Sequence, residues 1–301
     1  MKSQSLVIPI LLLVLMPLSA STVFRSTEGF SIGSEYDESE GGTLIATIGI
    51  PAGWTKAWGM AYHDEHDMLY TSQGKASPNN ALVYAEYSGG ETVTWVEFDH
   101  ADYITGLGCY EDDLLFGVTQ NDPLNPRPYY LYTWQLDASG IPMLPPDVYQ
   151  MTTLSTGGMG GCEWDGDYLW MVDQNFVADD PAIIYKYDVS THSVVDSWNF
   201  NRVGAFGIAC VWDSGVLKIW VSEWWDANQL VEHSSTGGLT GPAYNLFGVS
   251  PNDIAYKYDT DFDGPGFFVC DYNTSTIRLY DHTLTHLEHD TWGSIKAGFI
   301  E

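Results

Sequence analysis

The chain has 301 residues, 45% of them hydrophobic and 14% aromatic. That composition fills a large core and excludes a disordered chain. Forty acidic residues against eleven basic ones leave a formal charge of −29; such a field repels a phosphate backbone or an anionic lipid surface, so nucleic acid is excluded as a partner, while cations and cationic substrates fit.

In chain order, Lys2 opens a segment that is apolar from Leu6 to Leu18 apart from Pro9 and Pro17, and that ends in the small pair Ser19-Ala20. Charge, apolar run and small residues in that order predict a secretory signal peptide over 1–20. The run is about 13 residues, against about 20 needed to span a bilayer. After cleavage no membrane insertion is expected, and the mature part, 21–301, is expected in the periplasm or outside the cell. Its length suits one large β domain.

Three stretches follow that read as strands: Thr22 to Ser26, Phe30 to Asp37 and Thr43 to Ile50. Then a pattern repeats. A small-residue strand makes an Asp-rich turn into an apolar strand that ends in a polar cluster. The first strands begin Gly59-Met-Ala-Tyr62, Gly106-Leu-Gly-Cys109, Met159-Gly-Gly-Cys162, Gly207-Ile-Ala-Cys210 and Asp253-Ile-Ala-Tyr256. A tyrosine-alternating third strand recurs, as in Tyr185-Lys-Tyr-Asp188, and a fourth strand follows a short turn, as from Ser193 to Phe200. Period-two alternation bounded by Gly, Asn, Asp and Ser is the strand signal, and four antiparallel strands in roughly 40–50 residues make a propeller blade.

The ends set the count. Thr285 to Trp292 reads as a fourth strand and Ser294 to Ile300 as a first strand lacking the rest. The three N-terminal stretches read as second, third and fourth strands lacking a first. Joined, they predict an all-β, six-bladed β-propeller whose last blade takes three strands from the N-terminus and one from the C-terminus. The alternative is five blades plus a C-terminal tail. Cys109, Cys162 and Cys210 fall at the repeat position that Tyr62 and Tyr256 occupy elsewhere. A shared core slot predicts buried thiols rather than disulfides for them; the pairing of these and Cys270 stays open.

The stretch from Trp164-Asp-Gly-Asp-Tyr-Leu-Trp170 to Asp173, followed by Ile184-Tyr-Lys-Tyr-Asp188, resembles repeats of a broad propeller group. That group includes NHL-type and YVTN-type repeats, glutaminyl cyclotransferase-like proteins and gluconolactonase-like proteins. The resemblance implies the fold. Its members range from calcium-dependent lactonases, cyclotransferases and lyases to binding scaffolds, so it implies no single activity.

The connections after the second strands are long and polar, and one face of a propeller collects them. A rigid scaffold with long loops on one face predicts a binding surface there. The second strands end on that face in Gln73, Gln120, Asp173-Gln-Asn175, Glu223 and Asp271-Tyr-Asn273. Asp173, Glu223, Asp271 and Asn273 are the candidate ligands for a hard cation such as calcium at the channel mouth. Trp224, Trp225, Gln120, Asn175 and Tyr272 are the candidate ligand-binding residues; consecutive tryptophans cannot both face one side of a strand. Trp54, Trp58 and Tyr103 lie near the same face, where packing between blades is the competing role. Asp259-Thr-Asp261-Phe-Asp263-Gly264 has the start of a calcium loop but Cys270 where the closing Glu belongs. It is either a small structural calcium turn or a metal-free Asp turn. No phosphate-binding glycine loop is present, so no nucleotide is expected.

Beside a plain repeat scaffold within a larger surface assembly, two function classes are open. One is a secreted scaffold that binds an extracellular small molecule, glycan, peptide or protein on the long-loop face, with or without calcium. The other is a metal-dependent lactonase, lyase or cyclotransferase-like enzyme, in which Asp173, Glu223 and Asp271 hold a cation that polarises a carbonyl.

Overall fold

A computed structural model describes residues between 42 and 282, apart from 74–79, 101–102, 120–127, 153, 155–157, 175–180, 201–203, 225–227, 242, 247 and 259–262. Among the described residues, twenty strands form five antiparallel sheets of four. The first sheet in chain order is β2 (Ala57–His63), β3 (Met68–Gln73), β4 (Ala81–Glu86) and β5 (Val96–His100), in that order, and a strand β1 (Leu44–Gly49) precedes it. The second runs β6 (Ile104–Cys109), β7 (Leu114–Thr119), β8 (Tyr129–Gln135) and β9 (Asp147–Met151). The third runs β10 (Met159–Trp164), β11 (Leu169–Asp173), β12 (Ala182–Asp188) and β13 (Ser193–Phe200). The fourth runs β14 (Ala205–Asp213), β15 (Val216–Glu223), β16 (Gln229–Ser234) and the short β17 (Tyr244–Asn245). The fifth consists of β18 (Pro251–Lys257), β19 (Gly266–Asp271) and β20 (Thr276–Asp281), with β1 as its outer strand.

The protein is therefore a β-propeller with five blades among the described residues, the alternative count. The closing blade also reverses the expected division, with three strands from the C-terminal side and one from the N-terminal side. Residues 43–50 do form a fourth strand, paired as Ile48↔Ile277 and Gly49↔Thr276. They complete the blade that begins at Pro251, so the edge that Thr285 to Trp292 was expected to cover is already covered by β1. The stretches 22–26, 30–37, 285–292 and 294–300, like residues 1–20, lie outside the described residues. Pairing β1 with β20 covers an edge that would otherwise be open.

Five hydrophobic clusters fill the five gaps between neighbouring blades. One joins Ile48 and Leu279 of the closing blade to Met60, Tyr62 and Leu69 of the first blade. The next joins Tyr70 and Leu82 to Leu107 and Trp134, and the remaining three follow around the ring. Burying each large apolar side chain in these gaps contributes about 1.5–3 kcal/mol. The Asp-rich turns serve this packing. Asp165 accepts the N–H groups of Asp167 and Tyr168 at 2.8 and 2.7 Å with one oxygen and Trp170 Nε1–H at 2.7 Å with the other. One side chain thus shapes the turn and satisfies a fully buried indole.

The register corrects one detail of the repeat. Tyr62, Cys109, Cys210 and Tyr256 pair with Leu69, Leu115, Ile219 and Phe267, and in the third blade it is Trp164 that pairs with Leu169. Cys162 therefore sits two residues before the shared slot. All four cysteines are free and buried, and burial pushes their thiols up.

Shifting the third blade by two residues aligns Gly59, Gly106, Gly161, Gly207 and Asp253 at one level of the ring. The inner strands touch there. A Cβ on Gly207 would lie 2.6 Å from Asp253 Cα, and one on Gly106 would lie 2.6 Å from Gly161 C. The single side chain at this level enters the axis. Asp253 accepts the Met60 N–H at 2.8 Å and the Ile254 N–H at 3.0 Å, and the N–H groups of Leu107 and Ile208 also serve it. One carboxylate therefore ties four of the five inner strands. Burial pushes it well above the usual carboxyl range, and the four donors pull against that.

Candidate functional site

Each inner strand begins at the same mouth of the channel, opposite the last residue of its second strand. Ala57 faces Gln73, Ile104 faces Thr119, Met159 faces Asp173, Ala205 faces Glu223 and Pro251 faces Asp271. The predicted polar cluster is thus a ring of equivalent positions, one per blade, with Thr119 in the place expected for Gln120. Directly after its first pair, every inner strand carries a register irregularity. Bulges of this kind re-aim side chains next to binding sites. Trp58, Phe206 and Asn252 all sit in these bulges.

Four aromatic side chains meet at this mouth. Trp58 from the first blade lies 5.9 Å, centroid to centroid, from Phe206 of the fourth blade and 6.5 Å from Tyr272 of the closing blade. Trp224 lies 5.6 Å from Phe206 and 5.0 Å from Tyr272. All four contacts are edge-to-face, the favoured geometry for ring quadrupoles. Phe206 is buried, whereas Trp58, Trp224 and Tyr272 are half-buried. Lys56 Nζ stands 2.9 Å over the Tyr272 ring.

Amides accompany the rings. Gln174, only 5% exposed, has neither its Nε2 nor its Oε1 bonded. It lies over Gly160, where a Cβ would come within 2.8 Å of its Nε2 and still closer to the Phe206 carbonyl. Asn252 is fully buried; it donates to the Trp58 carbonyl at 3.3 Å and its Oδ1 has no partner. Trp58 Nε1 is likewise unpaired. An unmade hydrogen bond on a buried polar atom costs about 1–3 kcal/mol. This mouth holds four such atoms.

The carboxylates of the ring are engaged by their own blades. Asp271 accepts the N–H groups of Ser250 and Asn273 at 3.2 and 3.0 Å with one oxygen, and Thr274 Oγ1–H at 2.5 Å and Arg278 Nη2–H at 2.9 Å with the other. Glu223 accepts from Gln229 Nε2 at 2.6 Å. Asp173 is fully buried. Asn273 is exposed and donates to Ser250 Oγ at 2.6 Å. Among the described residues no three His, Cys, Asp or Glu side chains gather as a group able to hold a metal ion. In the Asp-rich turn, Asp263 accepts from Tyr87 Oη at 2.7 Å and from the Gly90 N–H at 3.0 Å, so it joins the closing blade to the first. Gln120, Asn175, Trp225, Asp259 and Asp261 lie outside the described residues.

Of the expected ligand-binding residues, the structure brings Trp224 and Tyr272 together and adds Trp58, which had been weighed mainly as packing. Gln174 stood in the expected polar cluster of the mouth without being singled out as a ligand contact, and Phe206 and Asn252 were missed. The repeat contained a signal for these last two. Phe206 and Asn252 directly precede the axial Gly207 and Asp253, as Trp58 precedes Gly59, so a shared position was visible once the blades were aligned.

At the other end of the axis, a cavity of about 10 Å³ is lined by tyrosines with Asp64, Glu111 and Glu163. Glu163 accepts the N–H groups of Cys109 and Trp164 at 2.9 and 3.1 Å. Burial pushes its carboxyl up, those donors lower it, and Asp253 raises it further.

No protein-family model matches the chain, and no curated protein matches it in sequence. Among solved structures, the chain is similar to the glutaminyl cyclase of Myxococcus xanthus, with a TM-score of 0.54 and 14% identity over 79% of this chain and 95% of that one. A chain of a mitotic checkpoint complex aligns with a TM-score of 0.44 and 9% identity, over 83% of this chain and 93% of that one, a likeness too slight to carry weight. The likeness to the cyclase is one of fold.

Proposed function

We propose that this propeller is an exported binding protein that takes its ligand at the mouth where the inner strands begin. One observation carries the reading: half-buried aromatic residues from three successive blades stand beside buried amides that keep unmet polar atoms. Pockets that bind small ligands are largely apolar, with a few polar groups converging on the ligand. The apolar run from Leu6 to Leu18 and the small residues after it support export.

The test is thermal melting of the purified protein with neutral sugars, capped peptides or calcium chloride added in turn, followed by tryptophan fluorescence. The expected result is a rise in Tm with at least one organic probe, lost in Trp224→Ala. A ligand at 100 times its Kd adds about 2.7 kcal/mol to stability. A shift with none of the probes, or one that Trp224→Ala leaves intact, overturns the reading. A rise with calcium that is lost in Asp271→Asn would instead place a cation at the mouth.

A second reading follows from the likeness to a glutaminyl cyclase: an enzyme of cyclotransferase type using the same mouth. A direct assay for glutaminyl cyclase activity decides it, since a pure binding protein shows no turnover.

A further inference from the structure

Resting on the binding reading above, we propose that the ligand at this mouth is a neutral saccharide, held by its ring against Trp58, Trp224 and Tyr272 and by its hydroxyl groups on Gln174 and Asn252.

The first argument is charge. Every charged group described around the mouth is already engaged. Asp271 is paired with Arg278, Glu223 takes the Gln229 amide, and Lys56 stands over Tyr272. Asp173 has a partner as well. Among the described residues, an ionic ligand would have to displace one of these contacts. The net charge of −29 adds a penalty for an anion.

The second argument is hydrogen-bond chemistry. Gln174 offers an unmet donor and an unmet acceptor on one buried side chain, Asn252 offers an unmet acceptor, and the Trp58 indole offers an unmet donor. A hydroxyl group is one donor and one acceptor on a single atom, free to rotate toward either. Adjacent hydroxyls on a sugar ring match a side-chain amide in both senses. A ligand with donors only or acceptors only would leave part of this set unpaired.

The third argument is shape. The C–H bonds on one face of a sugar ring are weakly positive and flat enough to lie on the negative face of an indole or phenol ring. Trp58, Trp224 and Tyr272 are half-buried in edge-to-face contact. Each of the three residues keeps part of its surface exposed, with Lys56 over one face of Tyr272. Trp58 and Trp224 lie 5.9 and 5.6 Å from the buried Phe206, beside whose carbonyl Gln174 lies.

The experiment is isothermal titration of the purified protein with two panels. One contains neutral mono- and oligosaccharides built from glucose, galactose, mannose and N-acetylglucosamine. The other contains capped, uncharged tetrapeptides. The expected result is heat from at least one saccharide and none from the peptides. Gln174→Leu should weaken that saccharide by about three- to ten-fold, the loss of one or two neutral hydrogen bonds, and Trp224→Ala should weaken it by at least ten-fold. Gln174→Leu should not lower Tm appreciably, and Trp224→Ala, which also loses packing on Phe206 and Tyr272, is titrated well below its own Tm, which separates lost contacts from lost folding. Binding of peptides without saccharides overturns the saccharide assignment and leaves the mouth as the binding site. Silence from both panels, or saccharide binding that both variants leave unchanged, overturns the assignment and the site together.

Discussion

The two ends of the channel are built from the same five inner strands and use their polar groups in opposite ways. At the lower end nearly every buried polar group is spoken for by the protein. Glu163 takes two backbone N–H groups, Tyr258 Oη donates to the Cys210 carbonyl and accepts from the Trp212 N–H, and Tyr256 Oη meets His282. Among the described residues, His63 Nδ1 and, beside His282, Trp220 Nε1 are exceptions. At the upper mouth, Gln174, Asn252 and Trp58 leave four polar atoms unmet within one cluster. The difference teaches where stability and function divide. Asp253, between the two ends, locks the ring, the lower end is finished, and the upper mouth carries unmet polar atoms that only a ligand or solvent can satisfy.

The comparison is most severely broken at the lock. Asp253→Ala leaves four converging N–H donors without their acceptor in a place with no room for bulk water. A loss of about 3–5 kcal/mol is expected, measured as a fall in the denaturant midpoint. Asp253→Asn should cost less, because one carbonyl oxygen remains. A loss under about 1 kcal/mol for the alanine variant would show that the carboxylate is not the tie between strands.

A second prediction uses pH. His282 is boxed by Trp220, Tyr244, Tyr256 and Phe267, and burial lowers its pKa from 6.5 to about 4. The unfolded chain then binds this proton first, so His282 costs stability as pH falls from about 6.5 toward 4 and adds no cost above that window. The buried carboxyls of Asp253 and Glu163, shifted upward, act with the opposite sign. The difference between wild type and His282→Phe isolates the histidine. The variant should lose less stability than wild type between pH 6.5 and 4, by a few kcal/mol at the acid end. Parallel pH profiles would refute the assignment.

The smallest effect sharpens the contrast most. Gln174→Leu replaces an unpaired buried amide by an apolar group of similar size. It should leave stability unchanged or raise it by about 1 kcal/mol, whereas removing an acceptor at the finished lower end, as in Glu163→Ala, should lower it. Chemical denaturation of the two variants side by side checks this. Equal losses would mean that Gln174 is part of the packing and that the two ends do not differ.

Much of this was legible in the sequence, for reasons visible in particular residues. Alternation in Tyr185-Lys-Tyr-Asp188 and the small residues at Ala61, Gly108, Ala209 and Ala255 report local backbone geometry and crowding at an axis. The propeller and its four-stranded blades could be read from them. Trp224 and Tyr272 were legible as ligand candidates because aromatic residues at strand ends on a loop-rich face have little local reason to be there. The blade count was not legible, since residues 43–50 read equally well as the fourth strand of any blade. Only their pairing with Thr276–Asp281 decided which.

What the sequence determined by itself is whatever depends on near neighbours along the chain: strand period, turn chemistry, and the small residues that inner strands require. What only the tertiary structure decided is whatever depends on five blades meeting. Asp253 became the axial tie because four glycines from other blades left it the space. Phe206, Gln174 and Asn252 became candidate site residues because bulges and ring closure brought them to Trp58, a residue about 115 to 195 positions away in the chain. Loop entropy gives the unfolded chain no reason to make such contacts, and only the closed ring supplies it.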